Sequence, residues 1–318
     1  MKKFSSIKNI IETKYFEYLA PKKVGFISTM SRSGTWYNRE FFFFFNELLS
    51  NKSKDQIIDE FVLEKKKIKY LIKVKKEYFN FDSFIISHWQ CPGFESNYRG
   101  FMKKKWENLK FYNENIPSKL RPRTKVFNVN SQCNPYKNKN AKVIFYYRNP
   151  LDQCVALYNA IQKTTNDMNF YFEGSKKKKF QSIEEFITIA GIDMYLKHFL
   201  GFKLMNDLFP ENILLLKYED MIQDPEKNFV TVLNFFNLDN LITDHNKKFY
   251  QALEMSSPDQ IKKIEKLSGI SISHGFINKS ESQIQSGKIN NWKNFLTKDI
   301  IKLFEKRFSD FNLDLKNI

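Results

Sequence analysis

An α/β domain, with a parallel sheet covered on both faces by helices, is the fold class this sequence predicts. Three observations carry it. Four short apolar, β-rich segments, at 24–28, 84–87, 142–147 and 213–217, are separated by stretches with helical patterning. Each segment is followed by a polar or basic residue, as expected where strand ends share one ligand-collecting rim. The chain has 318 residues of which 42% are hydrophobic, sufficient for a substantial core. No long structureless linker is visible, so the expectation is a single domain over 1–318 with its core at about 22–300.

The first segment runs into Met30-Ser31-Arg32-Ser33-Gly34-Thr35 and then into a helix expected over 36–49, with the phenylalanine run 41–45 in its interior. Such a loop gathers backbone N–H groups, the positive end of a helix dipole, hydroxyls and a guanidinium at one point, which attracts an anion. Gly34 permits close backbone approach, Ser33 and Thr35 can donate hydrogen bonds, and Arg32 supplies a fixed charge. An ordinary strand-to-helix turn with a serine cap accounts for the same residues, and both readings stand at this point. The usual nucleotide-triphosphate loop, G-x-x-x-x-G-K-[ST], is absent.

The second segment is followed by His88-Trp89-Gln90-Cys91-Pro92-Gly93, where the histidine reads either as structural or as a base. After the third comes Arg148-Asn149-Pro150-Leu151-Asp152: Asn149 suits an N-cap, Pro150 a first helical turn, and Arg148 stands at the mouth of that helix. The fourth leads through Tyr218-Glu219-Asp220 to Asp224-Pro225-Glu226, a second cap-plus-proline start, for a helix carrying Phe229, Val232, Leu233 and Phe236. Each of these features alone has a structural explanation. Four of them at four successive strand ends are harder to treat as coincidence.

Composition excludes several classes. The chain holds 52 basic and 35 acidic residues, a net charge of +17, but the lysines are scattered, and the runs 65–67, 103–105 and 176–179 read as solvated surface rather than a nucleic-acid footprint. Three cysteines, Cys91, Cys133 and Cys154, form no C-x-x-C pair and suit a reducing compartment. His88 and Cys91 have no second cluster to complete a metal site, so no metal is expected. The segment 1–19 is too broken by charge for a secretion signal and too polar for a membrane span, so a soluble, cytoplasmic protein is expected.

Taken in order, the motifs resemble the sulfotransferases that use 3′-phosphoadenosine 5′-phosphosulfate. Ser31-Arg32-Ser33-Gly34-Thr35-Trp36-Tyr37 is similar to their 5′-phosphosulfate loop, P-[KR]-S-G-T-T-W, and Tyr147-Arg148-Asn149-Pro150-Leu151-Asp152 to their R-N-P-x-D segment. Lys217-Tyr218-Glu219-Asp220 with Asp224-Pro225 is similar to Y-E-D-L…D-P, and Ser286-Gly287-Lys288-Ile289-Asn290-Asn291-Trp292-Lys293 to the late R-[KS]-G-K-x-G-x-W-K element. The resemblance covers about residues 24–297 and implies a P-loop-like sulfotransferase architecture.

It also implies roles. Arg32, Ser33, Gly34, Thr35 and the Trp36 backbone would hold the 5′-phosphosulfate, Arg32 also neutralising the bridging oxygen as the S–O bond breaks. Tyr37, Tyr218 and Ser256, the last within Glu254-Met255-Ser256-Ser257-Pro258, fall where the family meets adenine. Arg148 would bind the 3′-phosphate, with Gly287 and Lys288 from the late element. His88 fits the catalytic base that takes a proton from an acceptor hydroxyl or amine. The implied partners are the nucleotide co-substrate and a small-molecule or lipid-like acceptor, without metal or nucleic acid.

Departures from the pattern are concentrated. Ala156 stands where the family has a hydroxyl, Gln285 where it has the late arginine, Ile86 where it has a lysine, and Pro258 where it has a phenylalanine. Losing two contacts to the 3′-phosphate, at about 1–3 kcal/mol each, would weaken donor binding by one to a few decades. Of the family's dimer motif only Lys293 and Thr297 survive, with Lys298 and Lys302 at two other positions. The leading expectation is a sulfotransferase; the alternative is a catalytically impaired nucleotide-binding protein of the same fold. A P-loop kinase lacks its lysine here, and an RNA-binding protein lacks its recognition motifs.

Overall fold

The computed structural model describes residues 24–64, 71–87, 142–163, 180–269 and 289–318. In chain order, β1 is Val24–Thr29, α1 Thr35–Leu49, α2 Lys54–Glu64, β2 Leu71–Lys73, α3 Lys76–Phe79 and β3 Ser83–Ser87. Then come β4 at Val143–Tyr147 and α4 at Pro150–Lys163. The short α5, Ile183–Phe186, passes through a π turn at Ile187–Gly191 into α6, Ile192–Leu208. After β5, Ile213–Lys217, follow α7 Tyr218–Gln223, α8 Pro225–Phe235, α9 Asn240–Asp244, α10 Asn246–Ser256 and α11 Pro258–Ser268. A 3₁₀ turn at Asn291–Asn294 precedes α12, Lys298–Ser309.

The four expected strands form within a residue of their expected bounds. They lie in the order β2-β3-β1-β4-β5, with β3, β1, β4 and β5 mutually parallel. The expected parallel sheet is thereby extended into a mixed one, because β2 adds an antiparallel edge through Leu71↔Ile85, Ile72↔Phe84 and Lys73↔Ser83. At three residues, β2 is too short to show the alternation that marks a strand in sequence.

Strand alternation sends neighbouring side chains to opposite faces. Phe26, Ile85, Val143 and Phe145 face α4, α6 and α12, meeting Leu151, Val155, Tyr195, Phe199, Phe304 and Phe308. Ile27, Phe84, Ile86, Ile144 and Tyr146 face the other way, onto α1, α8 and α10. The phenylalanine run is buried, as expected of a helix interior, and its five consecutive residues point to every side of α1. Phe42 lies 3.9 Å from Phe84 of the sheet, Phe41 stacks at 3.8 Å on Phe229 of α8, and Phe44 meets Phe61 of α2 at 4.8 Å. A helix apolar all round must be covered all round, which fixes α1 and the loop that opens it.

The chain reaches β3 on one side of β1 and β4 on the other. That reversal puts a crevice beyond the carboxyl ends of β1 and β4.

Candidate functional site

The loop between β1 and α1 stands at this crevice. Its first residue is tied to the sheet, Met30 N–H donating to the Tyr146 carbonyl of β4 at 2.8 Å. The turn closes when Ser33 N–H donates to the Met30 carbonyl at 3.0 Å. Two residues hold positive φ, Arg32 at 69° and Gly34 at 86°. Glycine suits the second because a φ of 86° strains any L side chain; a Cβ there would also displace the Met221 methyl and come within 3.3 Å of the Tyr218 ring. Arg32 has no such freedom, and its left-handed backbone stores roughly 1 kcal/mol of strain at the tip of the loop.

Gly34 is the N-cap of α1, and no side chain caps this helix start. The serine-cap reading therefore does not describe the loop. Ser33 is fully buried and its Oγ has no partner, whereas the Thr35 hydroxyl lies 2.5 Å from that of Thr29. Asn38 donates from both its backbone N–H and its Nδ2 to the Gly34 carbonyl, each at 3.0 Å, which stiffens the first turn.

Arg148 arrives from the end of β4. It is 8% exposed, and its Nη1 donates to the Arg32 carbonyl at 3.1 Å. Its guanidinium lies 4.7 Å from the centre of the Tyr218 ring. A planar guanidinium placed on an aromatic face and bonded to a backbone carbonyl is held in orientation. The Arg148 carbonyl accepts from Tyr195 Oη of α6 at 2.7 Å, which fixes the backbone behind it. Asn149 caps α4 as its sequence predicts, its Oδ1 accepting from Leu151 and Asp152 N–H. The Asn149 N–H donates to Glu219 Oε1 at 3.0 Å, and burial pushes this carboxyl above the usual range.

Residues to which the motif analysis gave no role complete the frame. Asp152 is buried and accepts from Asn290 N–H at 2.7 Å and Trp292 N–H at 2.9 Å, so it docks the late segment on the start of α4. Gln153 Nε2 donates to the Ser31 carbonyl at 3.3 Å, bracing the loop from α4. Arg39 of α1 donates from Nε and Nη2 to the Ile86 carbonyl of β3, at 3.1 and 2.7 Å. A charged residue between Trp36 and the phenylalanine run was the available signal for Arg39.

The structure thus brings together Arg32, Ser33, Gly34, Thr35, Arg148 and Tyr218. Trp36 is half-buried on the first turn of α1, beneath the Arg39 guanidinium at 5.0 Å. Tyr37 is 9% exposed and meets Phe229 edge-on at 5.5 Å, and burial drives its hydroxyl well above the ordinary tyrosine range. Ser256 is buried at the end of α10, its hydroxyl donating to the Leu253 carbonyl of its own helix. Ala156 lies buried on α4. His88, Gly287, Lys288 and Gln285 fall outside the described residues, as do Cys91 and Cys133. Among the described residues no group of three His, Cys, Asp or Glu is placed to hold a metal, and no helix is long and apolar enough to cross a membrane.

The site is therefore an uncapped helix start beside a buried, oriented arginine, an arrangement suited to an anion. Among known proteins, the chain is 23% identical over 189 residues to flavonol 3-sulfotransferase of Flaveria bidentis, a match covering 57% of each chain. It is 25% identical over 177 residues to 3-alpha-hydroxysteroid sulfotransferase of Cavia porcellus, covering 54% of this chain and 56% of that one. The matched part spans only somewhat over half the length of these relatives. A solved structure of retinol dehydratase with retinol and PAP overlaps 91% of this chain and 81% of its own, at 15% identity and a TM-score of 0.49. The model of the sulfotransferase domain matches residues 22–314, and with that match over nearly the whole chain the protein belongs to the sulfotransferase domain family.

Proposed function

We propose that this protein transfers a sulfuryl group from 3′-phosphoadenosine 5′-phosphosulfate to a hydroxyl or amine of a small-molecule or lipid-like acceptor. The observation that carries the reading is the seat of Arg148, clasped between the Arg32 carbonyl and the Tyr218 ring beside an uncapped helix start. The partnerless Ser33 hydroxyl fits the same reading, because a buried donor without an acceptor is stabilised once an anion supplies one.

In this proposal the loop 32–36 holds the 5′ end of the nucleotide through backbone N–H groups, the Ser33 and Thr35 hydroxyls and the Arg32 charge. Arg148 takes the 3′-phosphate, with Gly287 and Lys288 assigned beside it from the sequence. Tyr218, already stacked on Arg148, and Tyr37 and Ser256 flank the adenine. His88 removes the acceptor's proton as its oxygen or nitrogen forms a bond to sulfur. The bond from sulfur to the bridging oxygen breaks, its electron pair leaves with the bisphosphate, and Arg32 offsets the charge that develops there. No metal takes part.

Product formation from labelled donor, with p-nitrophenol, a hydroxysteroid and an aliphatic amine as acceptors, tests this. Transfer that depends on the donor and drops at least about 100-fold in Arg32→Ala and in His88→Ala is expected. Undiminished transfer in both variants removes these assignments.

Ala156 favours a second reading, a binder of the same nucleotide with impaired catalysis, since it brings no hydroxyl to α4. Calorimetry with adenosine 3′,5′-bisphosphate separates the two. Submillimolar binding supports the enzyme, and no binding near millimolar nucleotide supports the impaired form.

A further inference from the structure

The contact between Arg39 and Ile86 joins two parts of the molecule that the proposed reaction uses separately. Arg39 lies one turn inside α1, the helix whose start forms the anion loop. Ile86 is the second-to-last residue of β3, paired with Ile27 of β1, and its side chain is fully buried. Among the described residues the antiparallel ladder from β2 reaches Ile85. Arg39 meets the strand just past that point, with Nε and Nη2 both on the Ile86 carbonyl at 3.1 and 2.7 Å.

The arginine is itself held. Its guanidinium carbon lies 5.0 Å from the centre of the Trp36 ring, one turn earlier on the same helix. Burial draws its proton affinity down to about 10, partly offset by Glu40, and it remains charged at neutral pH. A forked, stacked guanidinium reaching one carbonyl is a rigid strut, which the single nitrogen and mobile stem of a lysine do not reproduce.

We propose that Arg39 is a positioning residue for sulfuryl transfer. It locks the end of β3, and hence the point from which the chain continues into His88, to the helix that carries the donor loop. The inference rests on the sulfotransferase reading above. Displacing a reacting group by about 1 Å is enough to slow a reaction about 100-fold. The strut therefore acts on the rate of transfer rather than on the grip of the nucleotide.

The test uses the full chain with Arg39→Met and Arg39→Lys, and the acceptor from the panel above that the wild type turns over fastest. In Arg39→Met, kcat should fall about 10- to 100-fold while the Kd for adenosine 3′,5′-bisphosphate changes less than about threefold. Arg39→Lys should regain part of the lost kcat. Amide hydrogen exchange should quicken in peptides over 83–87 and stay unchanged over 24–29. If Arg39→Met does not fold, Arg39→Lys carries the same comparison, with a smaller drop in kcat. Unchanged kcat, a Kd that rises as far as kcat falls, or unchanged exchange over 83–87 overturns the proposal while leaving the transferase reading intact. A wild type with neither nucleotide binding nor turnover overturns both.

Discussion

The starts of α1 and α8 solve one physical problem in opposite ways. Both helices leave N–H groups unsatisfied and present the positive end of a dipole. At α8, Asp224 Oδ1 accepts from Lys227 N–H at 2.9 Å and Pro225 fills the first turn, so a carboxylate of the chain itself closes the end. At α1 the cap is a left-handed glycine, the residue two before it is strained, no side chain accepts, and a buried serine hydroxyl has no partner. One start is finished by folding. The other is left open by folding, and under the proposed function the nucleotide's anionic end completes it.

Substitutions at the two starts should separate these roles. The largest effect is expected from Gly34→Ala, which combines a positive φ with overlap against Met221. A loss of about 2–4 kcal/mol in stability follows, read by urea unfolding, together with loss of nucleotide binding. Near-normal binding in this variant would break the contrast.

Next in size is Arg148→Ala. Removing the buried guanidinium proposed to take the 3′-phosphate should weaken adenosine 3′,5′-bisphosphate about 10- to 100-fold by calorimetry. Loss of fold without loss of affinity would place Arg148 with the structural groups instead.

A paired measurement on Ser33→Ala and Asp224→Ala sharpens the comparison further. Ser33→Ala should leave the melting temperature equal or slightly higher, because it deletes a buried unpaired hydroxyl, while nucleotide affinity falls about 3- to 10-fold. Asp224→Ala should do the reverse, losing about 1 kcal/mol of stability with affinity unchanged. Any outcome in which both variants lose stability alone removes the distinction between the two starts.

The smallest effect concerns Glu219, whose carboxyl is raised by burial against the relief given by Asn149 N–H. A carboxyl with a folded pKa above its unfolded value favours the protonated fold. Its contribution is complete below the unfolded pKa and is lost as pH rises through the folded one. Glu219→Gln should therefore melt higher than wild type at pH 8, and the gap should close toward pH 4. A gap that is constant with pH contradicts burial as the cause.

Much of this site was legible because its residues follow strands directly. Local periodicity located β1, β3, β4 and β5, and hydroxyl, glycine and arginine chemistry marked the loop and Arg148 before any contact was known. The serine-cap alternative could not be dismissed at that level, since it differs from the anion loop only in where one hydroxyl points. Asp152 and Arg39 were visible as residues but not as partners. Their acceptors and donors lie 138 and 47 positions away, at Asn290 and Ile86.

By itself, then, the sequence determined the four parallel strands, the phenylalanine run in the interior of α1, and which functional groups leave each strand end, because those properties depend on neighbours a few residues apart. Only the tertiary structure decided that β1 and β4 lie side by side, that Gly34 packs against Met221 and Tyr218, and that Arg148 rests on Tyr218 with its Nη1 on the Arg32 carbonyl. Such contacts depend on strand order and helix placement. Those follow from the packing of the whole core, and no local pattern encodes them.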